Sequence, residues 1–155
     1  MGETCFFIGH RDTGERAYPA LAEAVERQIV EHAVADFVVG RYGRFDEMAA
    51  RAVREAKARH QGVTLTLLLP YHPFDGPRSA PTGCDGTFYP PGMERTPKRL
   101  AILRANRYMV DHCGCLIAWV RHPGSARDLL DYARRRERRG LLRVENLAEK
   151  AAPGP

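Results

Sequence analysis

The 155-residue sequence lacks several features that would settle its class at once. Its uninterrupted apolar runs, such as Leu67 to Pro70, are far too short to cross a bilayer. The start, MGETCFFIGHRD, has neither the basic region nor the cleavage site of a signal peptide, and Phe6 stands where a myristoylation pattern needs Ser or Thr. A cytoplasmic protein with no membrane partner is expected. Cysteine is scarce: Cys5, Cys84, Cys113 and Cys115 form no paired C-x-x-C framework and no disulfide scaffold. Buried, idle thiols are the expectation, with metal binding by Cys113, Cys115 and a histidine as the lesser alternative. There is no GxGxxG, no GxxxxGK[ST] and no internal repeat, so neither the ordinary dinucleotide fingerprint nor the P-loop is supported.

What is present is the composition of one globular domain, 44% hydrophobic and 28% charged. A net charge of +5 and a pI near 9.3 favour acidic partners. Much of the excess sits in ARRRERRG. Arg134, Arg135, Arg136, Arg138 and Arg139 either complement a helix C-terminus or form a surface for nucleic acid, single-stranded DNA among them.

Hydrophobic periodicity predicts strands at TCFFI, ADFVVG, VTLTLLLP, CLIAWV and LLRVENL. Helices are predicted at YPALAEAVERQIVEHA, RFDEMAARAVREAKARH, TPKRLAILRANRYMVDHC and SARDLLDYARRRERRG. In the first helix Leu21, Val25 and Ile29 share a face. In the second, Phe45, Met48, Ala49, Ala52, Val53 and Ala56 point inward. The alternation implies an α/β fold, a Rossmann-like three-layer α/β/α sandwich with a mainly parallel sheet of about five strands. One domain is expected over residues 1–148, with a frayed tail at 149–155.

In such sheets ligands bind beyond the carboxyl ends of the strands. Three glycine-bearing loops converge there: Gly9–Asp12, Gly40–Asp46 and Arg121–Asp128. Glycine lets backbone N–H groups approach a ligand, and a helix starting after the loop suits phosphate. His10, Arg11, Arg41, Arg44 and Arg127 add donors. An anionic ligand follows, although tight turns use glycine without any ligand. Asp46 lies in a first turn and Asp128 and Asp131 early in the fourth helix, where a carboxylate either serves the helix dipole or handles ribose hydroxyls or water. Asn106 and Asp111, polar residues on the third helix, read as helix-face solvation. The Pro- and Gly-rich stretch from Pro70 to Thr96 reads as a surface excursion or a binding loop. There Tyr71, His72, Phe88 and Tyr89 could stack on a base, with Arg78, Asp85, Glu94 and Arg95 orienting it.

The segments CFFIGHRD, VVGRYGRFDEMAARAV, LTLLLPYHP, DGTFYPPGMERTPKRLAILRANRYMVD and HPGSARDLLDYARRR together resemble a bacterial SLOG-superfamily protein of the DUF1273/YpsA-like branch. The resemblance runs from Thr4 to about Leu147. Distant relatives are the lonely-guy phosphoribohydrolases and DNA-processing protein A. The resemblance implies a Rossmann-like domain that binds a nucleotide or nucleotide-derived ligand, as a sensor or a ligand-processing domain, and a homo-oligomer. It places Gly9, His10 and Arg11 in the first ligand loop, and Gly40, Gly43, Phe45 and Asp46 in the glycine motif after the second strand. Pro123, Gly124, Ser125 and Ala126 resemble the start of the PGGxGTxxE motif of the phosphoribohydrolases, with Asp131 near the place of its glutamate. Ser125 replaces the second glycine, Arg127 intrudes and Leu129 stands where threonine would be. These departures bear on N-glycosidic hydrolysis, which would use Asp46 or Asp131, more than on binding.

Overall fold

The computed structural model describes residues 3–72 and 83–150. Six strands form one parallel sheet: β1 (Thr4–Gly9), β2 (Asp36–Val39), β3 (Thr64–Leu68), β4 (Gly86–Phe88), β5 (Cys115–Trp119) and β6 (Arg143–Asn146). The spatial order is β4-β3-β2-β1-β5-β6, with Cys5 opposite both Phe37 and Cys115 in register. The five expected strands all form. The sixth, β4, is a three-residue edge strand inside the Pro- and Gly-rich stretch, too short and too polar to show a period.

Four long helices cover the sheet: α1 (Tyr18–His32), α2 (Arg44–Arg59), α3 (Ala101–His112) and α4 (Ser125–Arg138). Pro19 sits in the first turn of α1, where its missing N–H costs nothing. A fifth, single-turn helix, α5 (Leu147–Lys150), includes Glu149 and Lys150, the first two residues of the expected tail. The rest of that tail, 151–155, lies outside the described residues.

Burial on both faces explains why the strands read as continuous apolar runs rather than alternating ones. One face packs Phe7, Phe37, Leu65, Leu67 and Ile117 against Leu21 and Val25 of α1 and Met48, Ala49 and Val53 of α2. The other packs Phe6, Leu68 and Leu116 against Ala105 and Met109 of α3 and Leu130 of α4. The result is the three-layer Rossmann-like sandwich the sequence implied. Chain order reverses between β1 and β5, with β2, β3 and β4 on one side and β6 on the other. That switch point is where the carboxyl-end loops diverge and leave a crevice.

Cys5, Cys113 and Cys115 lie in the core, and burial pushes the Cys113 thiol up to about 12. The Cys5 and Cys115 sulfurs are 3.4 Å apart as free thiols on adjacent strands.

Candidate functional site

A cavity of about 370 Å³ occupies the switch point. Its floor is apolar, formed by Phe6, Ile8 and Leu68 from the strands and by Ile102 and Ala105 of α3. Its rim comes from three loops: Gly9 to Asp12 after β1, Gly40 and Tyr42 after β2, and His122 to Ala126 after β5. Asp46 and Asn106 reach it from α2 and α3.

The dipeptide His10–Arg11 ties these loops together. The Arg121 backbone N–H donates to His10 Nε2 at 2.9 Å, joining the β1 and β5 loops. The Arg44 N–H donates to the Arg11 carbonyl at 3.0 Å, joining the β1 and β2 loops. Buried Thr13 donates its hydroxyl to the His10 carbonyl at 2.7 Å, which locks the first turn. Because His10 Nε2 accepts, its proton is on Nδ1. The His122 ring stacks on it at 3.6 Å and 10°, with its own Nδ1 donating to the Pro123 carbonyl. Burial, the neighbouring His122 and the Arg127 cation lower the His10 pKa, against the opposing pull of Asp12.

The glycines divide by role. A Cβ on Gly43 would lie 2.6 Å from the Arg11 Cα, and one on Gly9 would lie 2.3 Å from Cγ of the Phe45 ring. These two glycines, with the Arg44 N–H already donated, serve contact between loops rather than contact with an anion. Phe45 is fully buried beneath Gly9 and is a core residue. A Cβ on Gly40 would come within 2.9 Å of Asp46 Oδ2, the same oxygen that accepts the Tyr42 N–H at 3.0 Å. The Asp46 carboxyl therefore lies against backbone on one side, in a half-buried residue that also lines the cavity. Desolvation raises its pKa to about 6, with Glu47 adding to the rise and the Tyr42 bond opposing it.

The start of α4 differs from that of α2. Gly124 caps it at φ +142°, a conformation side chains rarely adopt, and a Cβ there would meet nothing within 4 Å. No side chain caps the helix. The first-turn N–H groups of Ser125, Ala126 and Arg127 therefore lack intrahelical partners, and Gly124, Ser125 and Ala126 face the cavity.

Of the residues expected at the site, Gly9, His10, Arg11, Gly40, Asp46, Pro123, Gly124, Ser125 and Ala126 line the cavity, whereas Gly43, Arg44, Phe45, Tyr71, Arg127 and Asp131 do not. Asp131 is exposed one turn further along α4, so the two carboxylates suggested for catalysis are not brought together. Tyr71 is half-buried and packs on the α3 side of the core, where it helps burial to raise the phenol pKa of Tyr42. The base-stacking group from the long segment stays together but does not line the cavity: Tyr71, Phe88 and Tyr89 pack on the α3 side of the core, and the His72 ring meets Tyr89 edge-on at 5.8 Å. Phe88 packs on Tyr108, Asp85 accepts from Lys57 and the Leu65 N–H, and Glu94 pairs with Arg95 on the surface. Arg78 lies outside the described residues.

Periodicity could not find Asp12, Tyr42, His122 or Ile102, which do line the cavity. Tyr42 and His122 sit inside glycine loops, beside arginines that carry the stronger signal for an anion. Ile102 reads as an ordinary core position. A further residue gave no local signal. Buried Asn146, at the end of β6, accepts the Val120 N–H at 2.9 Å and donates to the Val120 carbonyl at 3.0 Å. It acts as one more rung of the sheet and fixes the exit of β5 just before the Arg121–Gly124 turn.

No protein-family model matches this chain, and no curated protein matches it in sequence.

Proposed function

We propose that the switch-point crevice binds a nucleotide or nucleotide-derived ligand, its phosphate on the first turn of α4 and its base over the apolar floor. The observation that carries this reading is the pairing of an uncapped helix start at Gly124–Ala126 with a floor of Phe6, Ile8, Leu68 and Ala105 in one cavity of about 370 Å³. Helix N-termini favour phosphate through unpaired N–H groups and the dipole, and small-molecule sites combine apolar walls with a few placed polar groups. Arg11 is the cation on the rim, and Asp12, Asp46 and Asn106 are placed to accept from or donate to sugar hydroxyls and base edges.

The test is a thermal-shift series with AMP, ADP, ATP, ADP-ribose, NAD and cyclic dinucleotides on the wild type and on Arg11→Ala. A ligand at 100 times its Kd adds about 2.7 kcal/mol, a rise of roughly 5–10 °C for a domain of this size. A shift that shrinks in Arg11→Ala supports the reading. No shift with any of these ligands, at concentrations up to several millimolar, overturns it.

A second reading is favoured by one observation, the Asp46 carboxyl held at a pKa of about 6 on the cavity wall. A carboxyl poised near neutral pH can exchange a proton with water or a leaving base, which fits hydrolysis of the N-glycosidic bond of a nucleoside 5'-monophosphate. With Asp131 away from the cavity, Asp46 would act alone. Free base released from AMP by the wild type and not by Asp46→Asn supports this reading. Tight AMP binding without release leaves the protein a sensor.

A further inference from the structure

The two helical layers carry different charge. Helices α1 and α2 hold six Lys/Arg and six Asp/Glu between them. On the opposite layer, residues 98–112 carry four Lys/Arg against one Asp, and residues 125–139 carry six Arg against three acids. That layer is net +6, which exceeds the +5 of the whole chain.

The layers also differ in how their cations are used. On the α1–α2 side Arg27 pairs with Glu145, Arg51 with Glu15, Lys57 with Asp85 and Arg59 with Glu26. On the α3–α4 side Arg134 pairs with Glu149 and Arg136 with Asp111, so part of the basic run is turned to holding its own helix. Arg99, Arg104, Arg107, Arg135, Arg138 and Arg139 form no ion pair among the described residues.

Two of these are held in place without being neutralised. Arg107 of α3 and Arg135 of α4 lie over the Tyr132 ring at 4.0 and 5.7 Å. Tyr132 is fixed in turn by its hydroxyl bond to Asp111. An aromatic face orders a guanidinium by cation–π attraction yet leaves its N–H donors free for phosphate. Beside them on α3, exposed His112 stacks at 4.0 Å on half-buried Tyr108, which packs in turn on Phe88.

We infer that the α3–α4 face is a binding surface for single-stranded nucleic acid, with Arg104, Arg107 and Arg135 on successive phosphates and His112 with Tyr108 as a stacking platform. Positive charge that tracks a backbone, interleaved with aromatics, is how such proteins hold strands without reading sequence. An acidic protein would be met by the charge but makes no use of the stacked rings. A membrane would require an apolar insertion, and Leu103 is the only large exposed apolar residue on these two helices. The surface is separate from the crevice and does not rest on the ligand proposed there.

The test is fluorescence anisotropy of the full chain with labelled dT20 and rU20 at two salt concentrations. About three phosphate contacts should weaken binding roughly twenty-fold between about 50 and 200 mM salt. The double variant Arg107→Ala/Arg135→Ala should lose at least about tenfold, while Arg51→Ala/Arg59→Ala, which removes the same charge from the other layer, should stay within about twofold. Exposed Arg104→Glu provides the same test if the double variant fails to fold. Retained dT20 binding in Arg11→Ala would keep this surface distinct from the crevice. Three results would overturn the inference: no binding at the lower salt, equal loss in both double variants, or displacement of dT20 by poly-glutamate of matched charge as readily as by unlabelled dT20. Capture on phosphatidylserine vesicles without dT20 binding would also overturn it, in favour of a membrane surface.

Discussion

The backbone of Gly43 sits against the backbone of Arg11 so closely that a single added carbon would lie 2.6 Å from the Arg11 Cα. The β2 loop can reach the β1 loop, and Arg44 can donate to the Arg11 carbonyl, only because no side chain intervenes. The two loops form one rim of the crevice.

Gly43→Ala is therefore expected to destabilise the fold, since backbone rather than a flexible side chain would have to move. Overpacking of this kind costs about 1–3 kcal/mol, a fall in Tm of roughly 4–10 °C. Thermal unfolding checks it. Gly124→Ala, where only strained φ opposes a side chain in open space, should cost less, and any loss of nucleotide binding there should exceed its loss of stability.

Asp46 bears on stability with a definite sign. Its folded pKa of about 6 exceeds the ordinary 3.8, so the native state binds the proton more tightly than the unfolded chain does. The stabilisation from protonation is complete below about pH 4 and is lost as pH rises through about 6. At pH 7.5 the ionised, desolvated carboxylate costs about 1–3 kcal/mol. Asp46→Asn keeps an oxygen to accept the Tyr42 N–H and removes the charge. It should raise Tm at pH 7.5 and leave it nearly unchanged at pH 4, as pH-resolved melts would show.

His10 works in the opposite direction. Its pKa is lowered in the fold from 6.5, chiefly by burial and by His122, so the unfolded chain binds the proton more tightly. Its contribution is full above pH 6.5 and is lost as pH falls through the lowered value. Protonation would also remove the acceptor for the Arg121 N–H. In an Asp46→Asn background, the wild-type histidine should lose stability below pH 6.5 relative to His10→Gln. Chemical denaturation at several pH values would measure the difference.

Asn146→Ala is expected to leave the N–H and carbonyl of Val120 without partners in a buried position. Each such group costs about 1–3 kcal/mol, so a fall in Tm on the order of 10 °C should follow. Asn146→Asp, which still accepts from the N–H, turns a buried carboxylate oxygen towards the Val120 carbonyl and Glu149, so at neutral pH it should fall at least as far as Asn146→Ala. Differential scanning calorimetry of both variants would rank them.

The course of the chain was legible before any coordinates. Continuous apolar runs such as TCFFI and CLIAWV, alternating with helical faces such as Leu21–Val25 and Met48–Val53, permit little besides a parallel sheet buried on both sides. The converging glycine loops pointed to the edge of the sheet where the cavity lies. Strand β4 escaped because three residues at an edge have too little buried surface to impose a pattern.

What each site residue does was decided only in three dimensions. Gly43 and Phe45 look like parts of a ligand loop in the chain, but they are spent on packing the β1 and β2 loops together. Asp131, which the family resemblance sets near a catalytic glutamate, faces solvent in the fold, while Asp46 acquires its raised pKa from burial, against the Tyr42 N–H bond that lowers it. The basic run at Arg134–Arg139 divides between residues that pair internally and residues that join Arg104 and Arg107 from another helix. The physical reason is common to all of these. Helix and strand formation follow from periodicity along the chain, whereas desolvation, ion pairing and close approach depend on which distant segments come to lie within a few ångströms of one another.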